Sequence, residues 1–249
     1  MGRYWAFLFL LVPIAGVGIF VWAAAGGMWM PRDISEHGHE IDHLWNFILL
    51  LTGAVFVATE VALFWFLWRY EATSHRDPVK FTHGSHNLEV VWTILPAATL
   101  LFIAIYQMNA WADVKIRKPP MAPTVEVMAR QFEWRLRWPG PDGHFDTPDD
   151  IHWVNDLHVP VDEDVLVDLK SMDVLHDFFL PNLRIKQDAV PGMMIPVWFR
   201  ATDVGQYDLV CAELCGWGHY KMKGRITIEP REQYEAWLKK IANEQNTMK

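Results

Sequence analysis

Both cysteines of this 249-residue chain lie in one short segment, CAELCGWGHYKM, residues 211–222. The order Cys211, Cys215, His219, Met222 places two thiols, an imidazole and a thioether within a single loop's reach. Gly216 and Gly218 make a continuous helix through it costly, so the segment reads as a loop that wraps a ligand. Two thiols in an oxidising compartment suit a disulfide or thiol exchange, but that leaves His219 and Met222 without a role. Zinc accepts two thiolates and an imidazole. The soft thioether shifts the preference from zinc towards copper. A second histidine should complete such a site, and among the 11 histidines His176 stands out in SMDVLHDFFLPNLRIKQDAVPGMM. His37, His39 and His43 are close enough in sequence to share a metal, but they read as part of a polar exterior loop.

The elements that must carry this loop divide the chain in two. Residues 4–31 and 90–111 contain no charged side chain, and residues 44–68 contain only Glu60. Each run has the roughly 20 residues that a membrane-spanning helix needs. The expected spans are 1–31, 44–69 and 88–111, joined by an exterior loop 32–43 and a cytoplasmic loop 70–87. The first run, with Arg3 before it and Ala23, Ala24 and Ala25 near its end, is also compatible with a cleavable signal sequence, but its length favours a retained helix. Arg69, Arg76 and Lys80 flank or occupy the second connection, whereas Arg32 is outnumbered by Asp33, Glu36, Glu40 and Asp42 in the first. By the positive-inside rule Arg3 and loop 70–87 face the cytoplasm, and everything after Trp111 is outside.

The exterior part changes character. Residues 112–123 contain KIRKPPMAP and read as a linker, because proline opposes helix continuation. Between 124 and 229, runs such as TVEVMARQFEWRLRW, DVLVDLKS, IPVWFRA, QYDLVC and GRITIEP are rich in β-branched and aromatic residues, with turn formers between several of them. This pattern predicts a small antiparallel β-sandwich or barrel. Residues 230–249, opening with Pro230, predict a short closing helix. The fold class is therefore a membrane-anchored all-β protein with N-terminal transmembrane helices. A net charge of −8 argues against nucleic acid as a partner. Eleven acids between Asp142 and Asp177 face one base, Lys170; they suit either an ordinary solvated surface or a docking field for a basic electron carrier.

The segment around His176, together with YDLVCAELCGWGHYKMKGRITI, resembles subunit II of the haem-copper cytochrome c oxidases, whose exterior cupredoxin domain carries the binuclear copper centre called CuA. HNLEVVWTILPA, residues 86–97, is similar to that family's last transmembrane helix, and NDLHVPVDEDVLVDL to the strands before its first histidine ligand. The likeness can be followed over roughly residues 40–240, beyond the first apolar run. It implies that Cys211 and Cys215 bridge two copper ions and that His176 and His219 each bind one. It further implies weak ligation by Met222 and by the backbone carbonyl of Glu213. The Glu213 carboxylate is expected to reach a magnesium or manganese ion shared with the catalytic subunit. Glu89, at the start of the third span, is expected near a proton-pathway entrance. Haem and oxygen chemistry belong to a partner, because the spans here carry no histidines placed to hold haem.

The resemblance implies a subunit that takes electrons from cytochrome c or a membrane-bound haem donor at the outer face of a bacterial-type inner membrane, in contact with lipid. It would pass them to haem in catalytic subunit I for oxygen reduction coupled to proton translocation. A copper-delivery or thiol-redox protein is the rival class, and it does not require Met222, Glu213 or the LEVVWTILPA helix. One departure stands out. Where the family has the tryptophan that receives the electron, this chain has Phe132, followed by Glu133 and Trp134. Alternation along a strand puts residues 132 and 134 on one side, so the expectation is entry through Phe132 or, by displacement, Trp134, or else a donor other than ordinary cytochrome c, such as a haem domain held in a larger assembly.

Overall fold

A computed structural model describes residues 2–71, 81 and 83–247. The side chain of Arg3, and Arg76 and Lys80, invoked for membrane orientation, lie outside the described residues. The chain forms two compact units, residues 1–31 with 42–108, and residues 32–41 with 109–249.

The first unit is built on α1 (Gly2–Ala25), α2 (Gly38–Arg69) and α3 (His86–Tyr106). All three are long and apolar enough to cross a membrane. Leu11, Ile19 and Trp22 on α1, Leu50, Val57 and Trp65 on α2, and Val91, Leu100 and Ile105 on α3 are exposed. Helices apolar on every side call for lipid as their solvent. Their hydroxyls are satisfied internally, Thr52 by the Ile48 carbonyl at 2.9 Å and Thr93 by that of Glu89 at 2.8 Å, so neither needs water.

A short α4 (Met108–Lys115) precedes the strands. The expected linker at 112–123 is thus helical as far as Lys115. The helix persists because Pro119 and Pro120 come only later, and because Trp198 Nε1 donates to the Asp113 carbonyl at 3.1 Å and Lys115 Nζ to Gln187 Oε1 at 2.6 Å. Ten strands follow: β1 (Val125–Arg130), β2 (Glu133–Trp138), β3 (Ile151–Val154), β4 (Asp156–Pro160), β5 (Asp164–Ser171), β6 (His176–Leu180), β7 (Ile185–Ala189), β8 (Ile195–Arg200), β9 (Gly205–Cys211) and β10 (Lys223–Glu229), and α5 (Arg231–Thr247) closes the chain. They form two five-stranded sheets, β3-β2-β1-β5-β8 and β4-β10-β9-β6-β7. The sheets are mixed, since β1 pairs with β5 and β10 with β4 in parallel.

The core lies between the sheets, with Trp134, Trp138, Phe178, Phe199 and Leu209 at its centre, each almost fully buried. Burying such side chains is the main source of the domain's stability, at about 1.5–3 kcal/mol each. The connection expected at 32–43 ends at His37, because α2 begins at Gly38 and carries His39 and His43, and it contributes to this domain: Ile34 is fully buried, its N–H bonds the Asn182 carbonyl at 3.0 Å, and Ser35 bridges Ala201. The loop reading missed this because a single isoleucine among charged residues carries no period.

On α5, Trp237 stacks on His158 with ring centroids 3.8 Å apart. Although burial opposes its charge, hydrogen bonding to Asp156 and Glu229 holds the His158 pKa above its usual value. Its Nδ1 lies 3.0 Å from Glu229 Oε2, and Arg225 also faces Asp156, at 2.7 Å. A raised folded-state pKa stabilises the fold below the unfolded value, and that contribution is lost as pH rises through the folded one. His158→Gln is therefore expected to lower the melting temperature of the full chain at about pH 6 more than at about pH 9. Equal losses at both values would show that the ring acts by packing alone.

Candidate metal centre

The strand ends bring the candidate residues to one end of the sandwich. His176 opens β6, Cys211 closes β9 opposite Phe178, and the loop 212–222 leads into β10. The two sulfurs are 3.8 Å apart and both cysteines are free. His176 Nδ1 is 3.9 Å from Cys211 Sγ and 3.2 Å from Met222 Sδ. Cys215 Sγ is 3.6 Å from His219 Nδ1 and 3.7 Å from Met222 Sδ, and the Cys211 thiol lies 3.2 Å from the Glu213 carbonyl. His176, Cys211, Cys215 and Met222 are buried, whereas His219 is half-buried. Imidazole nitrogens and sulfurs that converge in a buried space form a soft donor set fitted to copper.

Burial raises the pKa of both thiols, but they diverge. Hydrogen bonding to His176 and to backbone groups overcomes burial and holds Cys211 down to about 6, whereas burial and the neighbouring Cys211 push Cys215 up to about 11. One thiolate is therefore available at neutral pH, and metal binding would release the other proton. His176 Nε2 donates to Asp173 Oδ1 at 2.8 Å, which turns Nδ1 towards the sulfurs. Asp173 is itself fixed by the backbone N–H groups of Gln131 and Val174, and Gln131 Nε2 donates to the Cys215 carbonyl. Sequence reasoning missed both residues. Asp173 had a weak signal, an acid three residues before the histidine; Gln131 had none, because its contact is long-range.

Such a carboxylate orients a ligating imidazole, and its loss typically weakens metal affinity 10–100-fold. Asp173→Ala is expected to lower copper retention by about that factor, measured by competition with a copper chelator. Unchanged retention would exclude the orienting role.

Glu213 lies near Asp177, which stands opposite Asp188 across β6 and β7. Burial pushes the Asp177 pKa up to about 6, against the pull of Lys186 and with repulsion from Asp188 and Glu213 adding to it. Glu89 is exposed in the first turn of α3, where a carboxylate complements the helix dipole. Phe132 and Trp134 do not lie on one strand, so the expectation from strand alternation does not apply to them. Phe132 sits in the turn between β1 and β2, outside both strands, where its ring lies edge-on to Trp217 with centroids 5.2 Å apart. Trp134 points into the core and is 0% exposed, so it cannot meet a donor at the surface. Five of the eleven acids in the acidic run are paired with arginines of the domain. Asp146 and Asp150 face Arg137, Asp156 faces Arg225, Glu163 faces Arg231 and Asp164 faces Arg200.

Three membrane-length helices and two five-stranded sheets with soft donors at one end define a membrane-anchored cupredoxin-like protein. The family model for the cytochrome c oxidase subunit II transmembrane domain matches residues 23–110, and that for its periplasmic domain matches residues 147–229. The alternative cytochrome c oxidase subunit 2 of Bradyrhizobium diazoefficiens is 30% identical, over 94% of this chain and 90% of its own length. The cytochrome c oxidase subunit 2 of Cereibacter sphaeroides is 28% identical, over 86% of this chain and 80% of its own. A crystal structure of the periplasmic domain of subunit II of cytochrome oxidase from Bradyrhizobium japonicum aligns with 24% identity and a TM-score of 0.45, covering 51% of this chain and 97% of that one. The chain belongs to the cytochrome c oxidase subunit II family. It is an electron-accepting subunit of a terminal oxidase, an oxidoreductase complex, anchored in a membrane with a domain of the family's periplasmic type.

Proposed function

We propose that His176, Cys211, Cys215, His219, Met222 and the Glu213 carbonyl hold a pair of copper ions, the CuA centre. The carrying observation is the convergence of two thiols, two imidazoles and a thioether at one end of the sandwich, with neighbouring contacts of 3.2–3.9 Å. When bound, the copper pair supplies a one-electron carrier. The protein's part is to keep the donors in place. The β strands fix His176 and Cys211, and Asp173 fixes the His176 ring. Burial of the sulfurs keeps water from them. A rigid donor set limits the reorganisation that accompanies each change of oxidation state.

In this reading electrons arrive from cytochrome c or a membrane-bound haem donor outside a bacterial inner membrane and leave for haem in catalytic subunit I. Oxygen reduction there is coupled to proton translocation. The Glu213 carboxylate supports a magnesium or manganese site shared with that subunit, and lipid surrounds the helices. The purified complex is expected to show near-infrared absorption and a seven-line electron paramagnetic resonance spectrum from paired copper. A single-copper spectrum, or a redox-active dithiol without metal, would favour the copper-delivery or thiol-redox rival.

Glu89 is proposed to stand near the entrance of a proton pathway, because its carboxylate is exposed at the first turn of a membrane helix. Glu89→Ala is expected to slow the reductive phase of the catalytic centre and steady oxygen uptake, by about tenfold or more if relay through a carboxylate is lost. Unaltered kinetics in both measurements would remove Glu89 from the pathway.

A further inference from the structure

Trp217 is 80% exposed, while Trp134 and Trp138 in the same domain are fully buried. Leaving an indole in water forgoes the burial energy that drives folding, and surface tryptophans of this kind anchor interfaces. Its position is specific, two residues after Cys215 and two before His219. Gly216 has φ +134° and Gly218 lies under Phe132. A Cβ at 218 would come within 2.5 Å of the Phe132 ring, and one at 216 within 2.6 Å of Gln131 Nε2. The two glycines therefore let the β1–β2 turn press onto the loop backbone. Trp217, Phe132 and the backbone leading to Cys215 are thereby in continuous contact.

The charge that lies directly on the Trp217 ring is a cation. Lys221 Nζ lies over the Trp217 ring at 5.5 Å and over the Tyr220 ring at 5.4 Å. Arg130, exposed at the end of β1, is paired with Glu133 at 3.9 Å, so these two charges next to the Phe132 turn offset each other. Five of the eleven acids that suggested a docking field are engaged by arginines of their own domain. A lysine-rich donor rim would meet like charge at this point.

Resting on the copper-centre reading above, we propose that Trp217 is the surface contact for the electron donor. Phe132 lies beneath it, and the donor is a haem domain whose haem edge is framed by apolar and neutral or acidic side chains. With copper bound by the residues named above, one electron would pass from the donor's ferrous haem, leaving it ferric, to the copper pair, and no proton or group would move. Docking of this kind depends on apolar burial at one anchor, so it is only weakly sensitive to salt.

The test uses the assembled oxidase and two soluble monohaem cytochromes, one with a lysine-rich rim and one with a neutral-to-acidic rim. Calorimetry gives the affinity of each, and flash photoreduction gives the rate of electron delivery. Wild type is expected to bind the neutral-to-acidic cytochrome more tightly, with Kd changing less than about threefold from low to physiological salt. Trp217→Ala should weaken that binding at least about tenfold and slow delivery, with the paired-copper absorption intact, while Trp217→Phe retains an intermediate affinity. Unchanged affinity in Trp217→Ala, or a wild-type preference for the lysine-rich cytochrome with steep salt dependence, would overturn the assignment while leaving the copper reading in place. Absence of paired-copper absorption from wild type would remove both.

Discussion

Cys215→Ser is expected to abolish the paired-copper spectrum and to leave the complex with substoichiometric copper. The reason is where the sulfur sits. Cys215 Sγ lies within 3.8 Å of Cys211 Sγ, 3.6 Å of His219 Nδ1 and 3.7 Å of Met222 Sδ, so it is the atom that links the two halves of the donor set. A serine oxygen is a harder donor and loses its proton far less readily than a thiol, which makes it a poor bridge for copper. Cys211→Ser should fail in the same way, because Cys211 joins His176 to the Glu213 carbonyl. Met222→Leu is different in kind. It removes a buried thioether while keeping the volume nearly constant, a change the core tolerates. Copper should then be retained with a shifted reduction potential, since a weak axial ligand tunes rather than holds such a site. Electron paramagnetic resonance and the copper-to-haem ratio of each purified variant make the comparison. A normal seven-line spectrum from Cys215→Ser would end the bridging assignment, whatever its effect on turnover.

The candidate donor residues were legible because they are chemically unusual. Two thiols, an imidazole and a thioether within residues 211–222 leave few alternatives. The three apolar runs were legible because lipid imposes a length, and the strands because β-branched runs alternate with turn formers. What could not be read were contacts made across the sheet order. Phe132 and Trp134 lie in one unbroken β-rich run in the sequence, yet the chain turns between β1 and β2, so the alternation rule was applied across a hairpin. The burial of Ile34 and the bond from Gln131 to the Cys215 carbonyl depend on residues far away along the chain. The acidic run stayed open to two readings for a related reason. A sequence gives the sign of each side chain but not its partner, and Arg137 faces Glu126, Asp146 and Asp150 together.

Trp134 changes role under this description, from a surface relay to a wedge behind the metal centre, and its removal should be among the most damaging core substitutions. The indole is 0% exposed, with its ring edge-on to Phe178 at 5.6 Å and 6.4 Å from the His176 ring. Its backbone is held from both sides by Asn155, whose Oδ1 accepts from the Trp134 N–H at 2.7 Å and whose own N–H donates to the Trp134 carbonyl at 2.9 Å. Asn155 adopts φ +60°, and Gly224 opposite has no side chain; a Cβ there would come within 2.6 Å of the Asn155 carbonyl oxygen. The surrounding backbone is thus pinned and cannot collapse into a vacated space. For a tryptophan truncated in such a setting the cost is about 3–5 kcal/mol. Trp134→Ala should therefore lower the melting temperature of the β domain by about 10 °C or more, followed in the full chain. Copper retention should fall with it, because the space opens beside His176. Trp134→Phe keeps most of the ring and deletes an N–H that has no hydrogen-bond partner among the described residues, so it should cost less than half as much. The order Ala well below Phe, in both stability and copper content, is the signature of a packing wedge. Electron delivery slowed in a Trp134→Phe variant of undiminished stability and copper content would instead return the indole to the electron path.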